Sequence, residues 1–539
     1  MESNKSVEAL DTEKSGTQKS QIKGSFFSSL KSWLIKKLIQ LVVIFTILAG
    51  LYFYLRSNEK YAVFVNFFEH TNPKISVVQR PAGVGSNTSK LVLELEDSGT
   101  GLDEVIVRSD QEGEVRELIH KRYPEPKFKD LLSIDVTGKA LELSEGSVDI
   151  VVSVFDRSFW SNGLKEEIPL KVDYDKPKLE VLSAQHNAVI GGTELCFYRV
   201  TQSQGGSSGV RVGDIEFEGY PARFLDPAFE AAPDVYFSYF AIPLQFQASK
   251  DQVKVFARNG VGNETTQGFY YKAQSVRASR RFREIDQLFV ETKLQELTEN
   301  LQIIQENNGE ESVNQSDLKQ RFDYVLNRLR VLAERQIRKT LKTVELKSSW
   351  ERSFLRPKGA TLKVDFGDVR DYVLDGNKLG SIIYTGAEHA APQYLPIFAA
   401  APGKVRLVDN LPYYGQTVII DHGFGISTLY SSLSKTSVKV DDEVATTTEL
   451  GQAGVSGVSD SPGMLYELRV HSIPVRPIEW WDQNWVHDHI KKKIEDMKRS
   501  LNLITEGNGV DQTPELSEFG IKSDSGKTDS ETSGPELLE

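Results

Sequence analysis

The longest apolar run in this chain lies near its start. Leu38 to Leu55 reads LIQLVVIFTILAGLYFYL, an 18-residue stretch without a charged side chain. That length is just enough for a helix to cross the hydrocarbon core of a bilayer. Trp33, Tyr52 and Tyr54 lie at its ends, where aromatic side chains favour the membrane interface. The pattern predicts one transmembrane anchor over residues 31–56.

Basic residues are unevenly distributed around this run. Lysines cluster before it, at Lys23, Lys31, Lys36 and Lys37, whereas Arg56 and Lys60 follow it with Glu59 between them. Because cytoplasmic flanks of membrane helices carry an excess of Lys and Arg, we expect the N-terminus in the cytoplasm and the bulk of the chain outside it. No A-x-A-like cleavage site follows the run, which favours a retained anchor over a signal peptide.

Residues 72–272 alternate apolar and polar positions in short runs separated by Gly, Asn, Asp and Pro. This pattern is typical of sandwich strands. The stretch VDIVVSVFDRSFWSN from Val148 to Asn162 also parallels QVKVFARNGVGN from Gln252 to Asn263, since each is an alternating strand followed by a polar turn. We therefore predict two immunoglobulin-like β modules, residues 72–175 and 176–273, which meet near Asp175 and Pro177.

The pattern changes to helical spacing over residues 281–345. Apolar positions three and four residues apart form two stripes, at Leu294, Leu297, Leu301 and Ile304, and then at Phe322, Val325, Leu326, Leu329 and Leu332. Asn307, Asn308 and Gly309 separate the stripes, which predicts a helical hairpin. Two interpretations stay open: the stripes pack on each other or on neighbouring domains, or they dock a partner helix.

Composition narrows the class of protein. The 539 residues are 39% hydrophobic and carry a net charge of −12 that is spread along the chain. An acidic chain without a concentrated basic surface is a poor nucleic-acid binder. Its single cysteine, Cys196, excludes both an intrachain disulfide and a thiolate zinc cluster. The polar ends of the chain, residues 1–30 and 505–539, have too little apolar surface for a core, and we predict that they are disordered.

One region resembles a known family. It contains FGDVRDY from Phe366, AAPQYLPIFAAAPGKV from Ala390, YGQTVIIDHGFGISTLYSSLS from Tyr414, VSGVSDSPGMLYELR from Val455 and PVRPIEWWD from Pro474. These stretches resemble the LytM or lysostaphin-like zinc metallopeptidases, which cut peptidoglycan cross-links. The PIEWWD ending, after β modules and an anchor, is similar to the membrane-tethered branch of that family. The resemblance implies a bacterial inner-membrane protein whose bulk lies in the periplasm.

The resemblance also indicates which positions carried the chemistry. Active members bind zinc through H-x-G-x-D and H-x-H motifs, and a Y-x-H-L histidine assists; three protein ligands leave an open zinc position for water. Here Tyr384 stands at the first ligand position, Glu388 at the second and Leu465 at the third. Gly463 and Ser432 replace the assisting histidines. A phenol is a poor zinc ligand and an aliphatic side chain is none, so we predict neither zinc nor any other cofactor.

The remaining polar residues of this region are candidates for binding. We expect the emptied groove to be lined by Tyr384, Glu388, His389, Tyr430, Ser432, Tyr466 and Glu467. A shifted metal site using His389 with Glu467 is an alternative, although His389 and Glu388 are adjacent on a strand and converge only at a bulge. His422, in the IDHG turn, is expected to have a structural role.

The predicted fold is mixed and multidomain. Its parts are a cytoplasmic tail (1–30), the anchor (31–56), two Ig-like modules (72–175 and 176–273), a helical hairpin (281–345), a degenerate all-β LytM domain of the duplicated-hybrid-motif type (354–482), a C-terminal helix (483–504) and an acidic tail (505–539).

The predicted function is that of a membrane-anchored pseudo-peptidase. It would bind peptidoglycan, or regulate a cell-wall hydrolase such as an amidase that acts in cell division. Two alternatives stay open. One is an active peptidoglycan metalloendopeptidase with an unusual zinc site, and the other is a structural envelope tether.

Overall fold

The computed structural model describes residues 33–52, 54–55, 67, 69–184, 186–201, 205–276, 278–308 and 317–504. The two predicted disordered tails lie outside these residues, as does the connection between the two long helices at 309–316.

The apolar run near the start forms a helix, α1 (Trp33–Tyr52), of 20 residues with mean hydropathy 2.1. None of that window is buried against the rest of the described chain. A helix this long and apolar can cross a membrane. Its large side chains are exposed all round, up to 74% for Phe45.

A two-sheet β sandwich follows. Its first sheet has the order β1-β2-β5 and its second the order β4-β3-β6-β7, with antiparallel neighbours throughout. The strands are β1 (Lys74–Gln79), β2 (Ser89–Glu96), β3 (Leu102–Gln111), β4 (Glu114–Lys127), β5 (Lys129–Val136), β6 (Gly146–Asp156) and β7 (Gly163–Val172). Period-two alternation buries Leu91, Leu93 and Leu95 in a core that both sheets share. The immunoglobulin-like assignment of this sandwich stays a prediction.

A second β module occupies residues 178–274. It has two four-stranded sheets, β13-β14-β10-β8 and β12-β11-β15-β16, and a separate parallel pair, β9 with β17. The strands are β8 (Lys178–Val181), β9 (His186–Val189), β10 (Thr193–Thr201), β11 (Ser208–Val212), β12 (Ile215–Glu218), β13 (Tyr220–Pro221), β14 (Val235–Ala241), β15 (Val253–Arg258), β16 (Glu264–Gly268) and β17 (Tyr271–Gln274). The single cysteine, Cys196, is buried on β10.

The two repeated stretches have equivalent roles in the two modules. Each ends in an asparagine whose amide holds the chain segment that enters its own module. The Nδ2 atom of Asn162 donates to the carbonyl oxygen of Glu69 at 3.0 Å, and the Nδ2 atom of Asn263 donates to that of Asp173 at 2.7 Å. The loop after β6 therefore corresponds to the loop after β15.

The helical segment begins later than the sequence pattern suggested. Residues 280–284 form strand β18 (Arg280–Glu284), which pairs in parallel with a strand of the C-terminal region. The strand contains three arginines and Phe282 as its one apolar residue, which gives no helical apolar stripe, so helix formation starts only at the Asp286 cap. The helices are α2 (Gln287–Phe289), which continues through a π turn at Val290–Leu294 into α3 (Gln295–Asn307), and α4 (Leu318–Thr340).

Residues 361–475 form the C-terminal β region. Strands β20 and β21 join β18 in a three-stranded sheet, and the other ten form one sheet with β19-β22-β29-β26-β25-β24-β27 as its main path. The strands are β19 (Thr361–Val364), β20 (Val369–Leu374), β21 (Asn377–Ile383), β22 (Ala387–Ala390), β23 (Pro396–Phe398), β24 (Gly403–Leu411), β25 (Gly415–Gly423), β26 (Ile426–Thr436), β27 (Glu443–Val444), β28 (Glu449–Ala453), β29 (Gly463–Val470) and β30 (Ile473–Val475). Three helices follow: α5 (Pro477–Trp481), α6 (Gln483–Val486) and α7 (Lys492–Ser500).

The second β module and the C-terminal region share one apolar core. Trp480 is fully buried in it and donates from Nε1 to the Thr193 hydroxyl at 3.2 Å. The ring of His471 stacks on Tyr220 at 5.9 Å, and His489 lies 3.0 Å from the buried carboxylate of Glu194. The second module thus packs against the C-terminal region through a shared apolar core.

Helices α3 and α4 cover the other face of the C-terminal sheet. Their apolar stripes, including Leu301 and Leu329, share a second core with Ile419 and Leu429 of the sheet. The two stripes are therefore buried against each other and against this sheet. Within the described residues, neither stripe stays exposed to dock a partner helix.

Candidate functional site

Three neighbouring strands bring together the positions that the family resemblance singled out. Glu388 on β22 is paired with Leu465 on β29, and Leu465 is paired with Ser431 on β26. A small cavity of about 40 Å³ lies at this point. It is lined by Tyr384, Glu388, Ser432, Gly463 and Leu465, together with side chains from β20 and nearby loops. All five residues assigned from the sequence therefore surround one space.

A residue that the sequence analysis did not consider lies among them. The Nη1 atom of Arg370, on β20, is 3.1 Å from the Tyr384 hydroxyl and 3.1 Å from Oε2 of Glu388. The guanidinium also lies 5.1 Å from the centroid of the Tyr384 ring. A buried cation thus sits between the side chains at the first two ligand positions of the family.

Two further groups complete the polar part of this site. The Nζ atom of Lys363 lies 3.5 Å from Oε1 of Glu388, and the hydroxyl of Tyr372 lies 3.4 Å from that of Tyr384. Both carboxylate oxygens of Glu388 consequently face cations.

The electrostatics keep Arg370 charged and Tyr384 neutral. Burial raises the pKa of Tyr384 well above its usual value, so the phenol keeps its proton near neutral pH. Burial acts to lower the pKa of Arg370, but Tyr384 and the charge of Glu388 outweigh that effect and raise it. The site therefore contains a permanent guanidinium cation, a carboxylate partner and a neutral phenol.

Zinc does not fit these residues. Leu465 and Gly463 offer no ligand atom, the phenol of Tyr384 is protonated, and Glu388 is engaged by Arg370 and Lys363. Within the described ranges, the one group of three His, Cys, Asp or Glu side chains close enough to share a metal is Glu69, Asp97 and Asp156, which lies in the first sandwich.

His389 and Glu388 face opposite sides of β22, as alternation requires. His389 is buried, with Nδ1 3.0 Å from the carbonyl oxygen of Ala387 and its ring edge-on to Trp481 at 5.9 Å. Burial lowers its pKa. The structure therefore does not bring His389 and Glu388 onto one ion.

Three of the expected groove residues are part of the core. Tyr430, Tyr466 and Glu467 are all 1% exposed or less. The Tyr430 hydroxyl accepts a hydrogen bond from the backbone N–H of Ala400 at 2.7 Å. These side chains point away from solvent and cannot contact a peptide, which corrects the expectation that they line an open groove.

Glu467 belongs to a buried ion-pair network that joins the sheet to helix α4. Arg469 is fully buried and donates from Nε to Oε2 of Glu467 at 2.8 Å and from Nη1 to Oε2 of Glu334 on α4 at 2.9 Å. The Tyr414 hydroxyl lies within hydrogen-bond distance of both carboxylates, at 2.9 Å for Glu334 and 3.1 Å for Glu467, and its one proton can be donated to either. Burial acts to raise the pKa of Glu334, but the charge of Arg469 lowers it to about 2.

Helix α4 also contacts the segment next to Tyr384. Arg330 donates to the carbonyl oxygen of Ile383 and to the Thr385 hydroxyl, each at 3.1 Å, and its guanidinium lies over the ring of Tyr413. Arg330 therefore holds the segment around Tyr384 and contacts Tyr413, and both tyrosines line the cavity. Nothing in the sequence pattern pointed to this, because charged positions on a helix are normally solvated.

His422 has the structural role that its position suggested. It is fully buried, with Nδ1 2.6 Å from the carbonyl oxygen of Pro402 and Nε2 2.8 Å from the Thr428 hydroxyl. Burial lowers its pKa to about 4, so the imidazole is neutral at physiological pH.

Comparison with known proteins assigns this region to a family. Residues 383–477 match peptidase family M23. The DD-carboxypeptidase/endopeptidase Mpg of Neisseria meningitidis is 35% identical over 96 residues, which are 18% of this chain and 22% of that protein. The murein hydrolase activator EnvC of Escherichia coli is 30% identical over 101 residues, 19% of this chain and 24% of that protein.

Each match thus spans less than a quarter of the curated relative. A crystal structure of a peptidase M23 from Pseudomonas aeruginosa aligns with 54% of this chain and 94% of its own, at 17% identity and a TM-score of 0.32. The match of residues 383–477 shows that the C-terminal part of this chain contains a domain of peptidase family M23, the LytM type.

Proposed function

We propose that this chain is a membrane-anchored pseudo-peptidase of the bacterial cell envelope, and that it regulates a cell-wall hydrolase or binds peptidoglycan without cutting it. The observation that carries the proposal is the position of Arg370. A guanidinium between Tyr384 and Glu388 supplies positive charge where a catalytic member holds zinc, and it cannot bind or acidify a water molecule as a Lewis acid does.

The size of the cavity bears on how such a protein would act. A volume of about 40 Å³ is far below the roughly 300 Å³ or more of typical ligand pockets. The cavity therefore offers little room for a stem peptide, which favours regulation through the outer surface over capture of a peptide in the groove.

The relatives support a role at the cell wall without deciding between the two modes. One is named as an endopeptidase and another as an activator of murein hydrolases. The activator provides a precedent for a family member that works on another enzyme. The proposal places the domain in the periplasm, with α1 in the inner membrane, because a fully exposed apolar helix has no stable place in water.

The test uses the full chain, purified in detergent, and dye-labelled sacculi. Dye release is measured with the chain alone, with cell-wall amidases and endopeptidases of the same organism, and with each enzyme plus the chain. The proposal predicts no release by the chain alone, together with a change in the release by one enzyme or co-sedimentation of the chain with sacculi. Release by the chain alone, or neither effect with any enzyme, contradicts it.

The endopeptidase alternative is favoured by the similarity to Mpg. It requires stoichiometric zinc in the purified chain and turnover of cross-linked muropeptides. In the tether alternative, deletion of residues 355–490 leaves wall morphology unchanged.

A further inference from the structure

The loop that joins β6 to β7 in the first sandwich exposes two large aromatic side chains. Phe159 is 58% exposed and Trp160 is 54% exposed, and neighbouring Phe67 is 40% exposed. Their rings contact one another: Phe159 meets Phe67 at 5.9 Å and Trp160 at 5.1 Å, and His70 stacks on Trp160 at 5.4 Å. An apolar patch of this kind on a soluble surface marks a site of interaction.

This aromatic loop lies where the chain from α1 enters the sandwich. The backbone N–H of Phe159 donates to the carbonyl oxygen of Phe67 at 2.7 Å, and Asn162 holds the carbonyl oxygen of Glu69. Eleven residues lie between Leu55 and Phe67 in the sequence, and the twelve Cα–Cα steps that join the two reach at most about 43 Å. The loop is therefore tethered within that distance of the end of the apolar helix.

The equivalent loop of the second module shows which way such a loop faces. The carbonyl oxygen of Gly262 accepts a hydrogen bond from Nδ2 of Asn87 at 2.7 Å, and Ser86 N–H donates to Oδ1 of Asn263 at 2.8 Å. Val261 lies against Gly83 so closely that a Cβ at Gly83 would be 2.6 Å from its Cγ1. In the second module this loop rests on the element that precedes it in the chain.

For the first sandwich the preceding element is α1. We propose that Phe159 and Trp160, together with Phe67, insert into the headgroup layer of the bilayer that α1 crosses, and that this contact holds the first sandwich against the membrane surface. The proposal rests on the membrane anchoring proposed above. Aromatic rings favour this layer because one part of the ring is apolar while the rim tolerates water.

The groups around the loop are compatible with a lipid surface. The carboxylates of Asp97 and Asp156 beneath it are 3% and 1% exposed, so they present little negative charge. Arg157, on the loop itself, donates to the carbonyl oxygen of Leu102 and lies 3.5 Å from the carboxylate of Asp103, so the charge of that half-exposed acid is compensated. The tether keeps the loop near the bilayer and so raises the effective concentration of the loop at the membrane surface. Even a weak tendency to insert then places the loop in the bilayer in most molecules.

The test uses the full chain in lipid nanodiscs with one spin label. The native Cys196 is buried, and burial raises the pKa of its thiol to about 12, so only an introduced cysteine reacts. The label is placed at Trp160→Cys, with Phe159 retained. The matched control is Glu114→Cys, an exposed residue at the opposite end of the sandwich. Relaxation by oxygen, which concentrates in the bilayer, is compared with relaxation by a water-soluble nickel chelate.

The proposal predicts that the nickel chelate relaxes the label at 160 severalfold less than the label at 114, while oxygen relaxes it more. Equal relaxation by the nickel chelate at both positions overturns the proposal. Weak relaxation of the label at 160 by both reagents also overturns it, because that result indicates a contact with protein instead of lipid. A second label at Phe45→Cys on α1 separates the two ideas. If position 45 is not oxygen-accessible, the anchor has failed; if position 45 is accessible and 160 is not, the loop proposal alone fails.

A charge variant gives an independent measurement. Phe159→Asp with Trp160→Asp changes two exposed side chains and leaves the sandwich core intact. Residues 69–175 should then become several times more accessible to added protease in nanodiscs, with no change for the same variant in detergent. Unchanged accessibility in nanodiscs contradicts the proposal.

Discussion

Arg370 and Glu388 form an ion pair, with Nη1 and Oε2 separated by 3.1 Å, in the small cavity around the positions that the family resemblance assigns to the zinc ligands. Both side chains are largely buried, at 9% and 19% exposure. The carboxylate at the second ligand position thus has a partner within the chain. Removal of either member would leave the other charge in a poorly solvated place, which makes the pair testable through stability.

The first prediction concerns this pair. Arg370→Met should lower the free energy of unfolding by about 1–3 kcal/mol, because Glu388 loses a charged hydrogen-bond partner. Glu388→Gln in the Arg370→Met background should cost much less than Glu388→Gln alone. The double-mutant cycle, measured by chemical unfolding in detergent, should give a coupling of about 0.5–3 kcal/mol.

A matched control for that cycle is the exposed pair of Arg499 and Asp496, whose Nη1 and Oδ1 atoms are 3.1 Å apart at 58% and 54% exposure. It should show no measurable coupling. Equal coupling in the two cycles would argue that the pair in the cavity has no special role.

The second prediction concerns the attachment of helix α4. Arg469→Met removes the cation shared by Glu334 and Glu467, and it should destabilise the protein by about 3–5 kcal/mol, since two buried carboxylates lose their partner. Amide hydrogen exchange should rise in residues 318–340 before it rises in the first sandwich. Uniform exchange along the whole chain would instead indicate global unfolding and contradict the assigned role of the network.

The third prediction is a pH dependence. The pKa of His422 is about 4 in the folded chain and about 6.5 when unfolded. The unfolded chain therefore binds more protons between these values, so the contribution of His422 is complete above pH 6.5 and is lost as the pH falls toward 4. The difference in the free energy of unfolding between the wild type and His422→Gln should be about 2 kcal/mol smaller at pH 5 than at pH 7.

The same comparison between pH 7 and pH 8 serves as the control, because His422 is neutral in both states there. A constant difference from pH 8 to pH 5 would show that the imidazole is solvated and titrates normally.

The sequence predicted the elements whose pattern is local. The apolar run became a helix, period-two alternation marked the sandwich strands, and the stripes at Leu301 and Leu329 marked the two long helices. The motif alignment also placed Tyr384, Glu388, Ser432, Gly463 and Leu465 around one space, because the strand register that joins these positions is part of the fold.

What the sequence did not provide was the identity of the groups that approach from elsewhere. Arg370 is 18 positions before Glu388 and lies on a different sheet, and Glu334 is on a helix of another region. Glu334 belongs to no motif. Arg370 lies within FGDVRDY, a stretch that also contains Asp368 and Asp371, so its charge did not stand out, and a basic residue on a strand is ordinarily solvated. The packing of the second β module against the C-terminal core could not be predicted either, because contacts between residues far apart in the sequence leave no periodic pattern in it.

The most direct test of the central claim is the zinc content and turnover of the purified full chain. After equilibration with zinc and removal of the unbound metal, it is assayed on cross-linked muropeptides, in parallel with Leu465→His and Glu388→Gln. The account predicts zinc far below one equivalent and no cleavage for all three proteins, because Arg370 and Tyr384 remain in the Leu465→His protein. One equivalent of zinc in the wild type that is lost in Glu388→Gln, with cleavage of the cross-link, would contradict it.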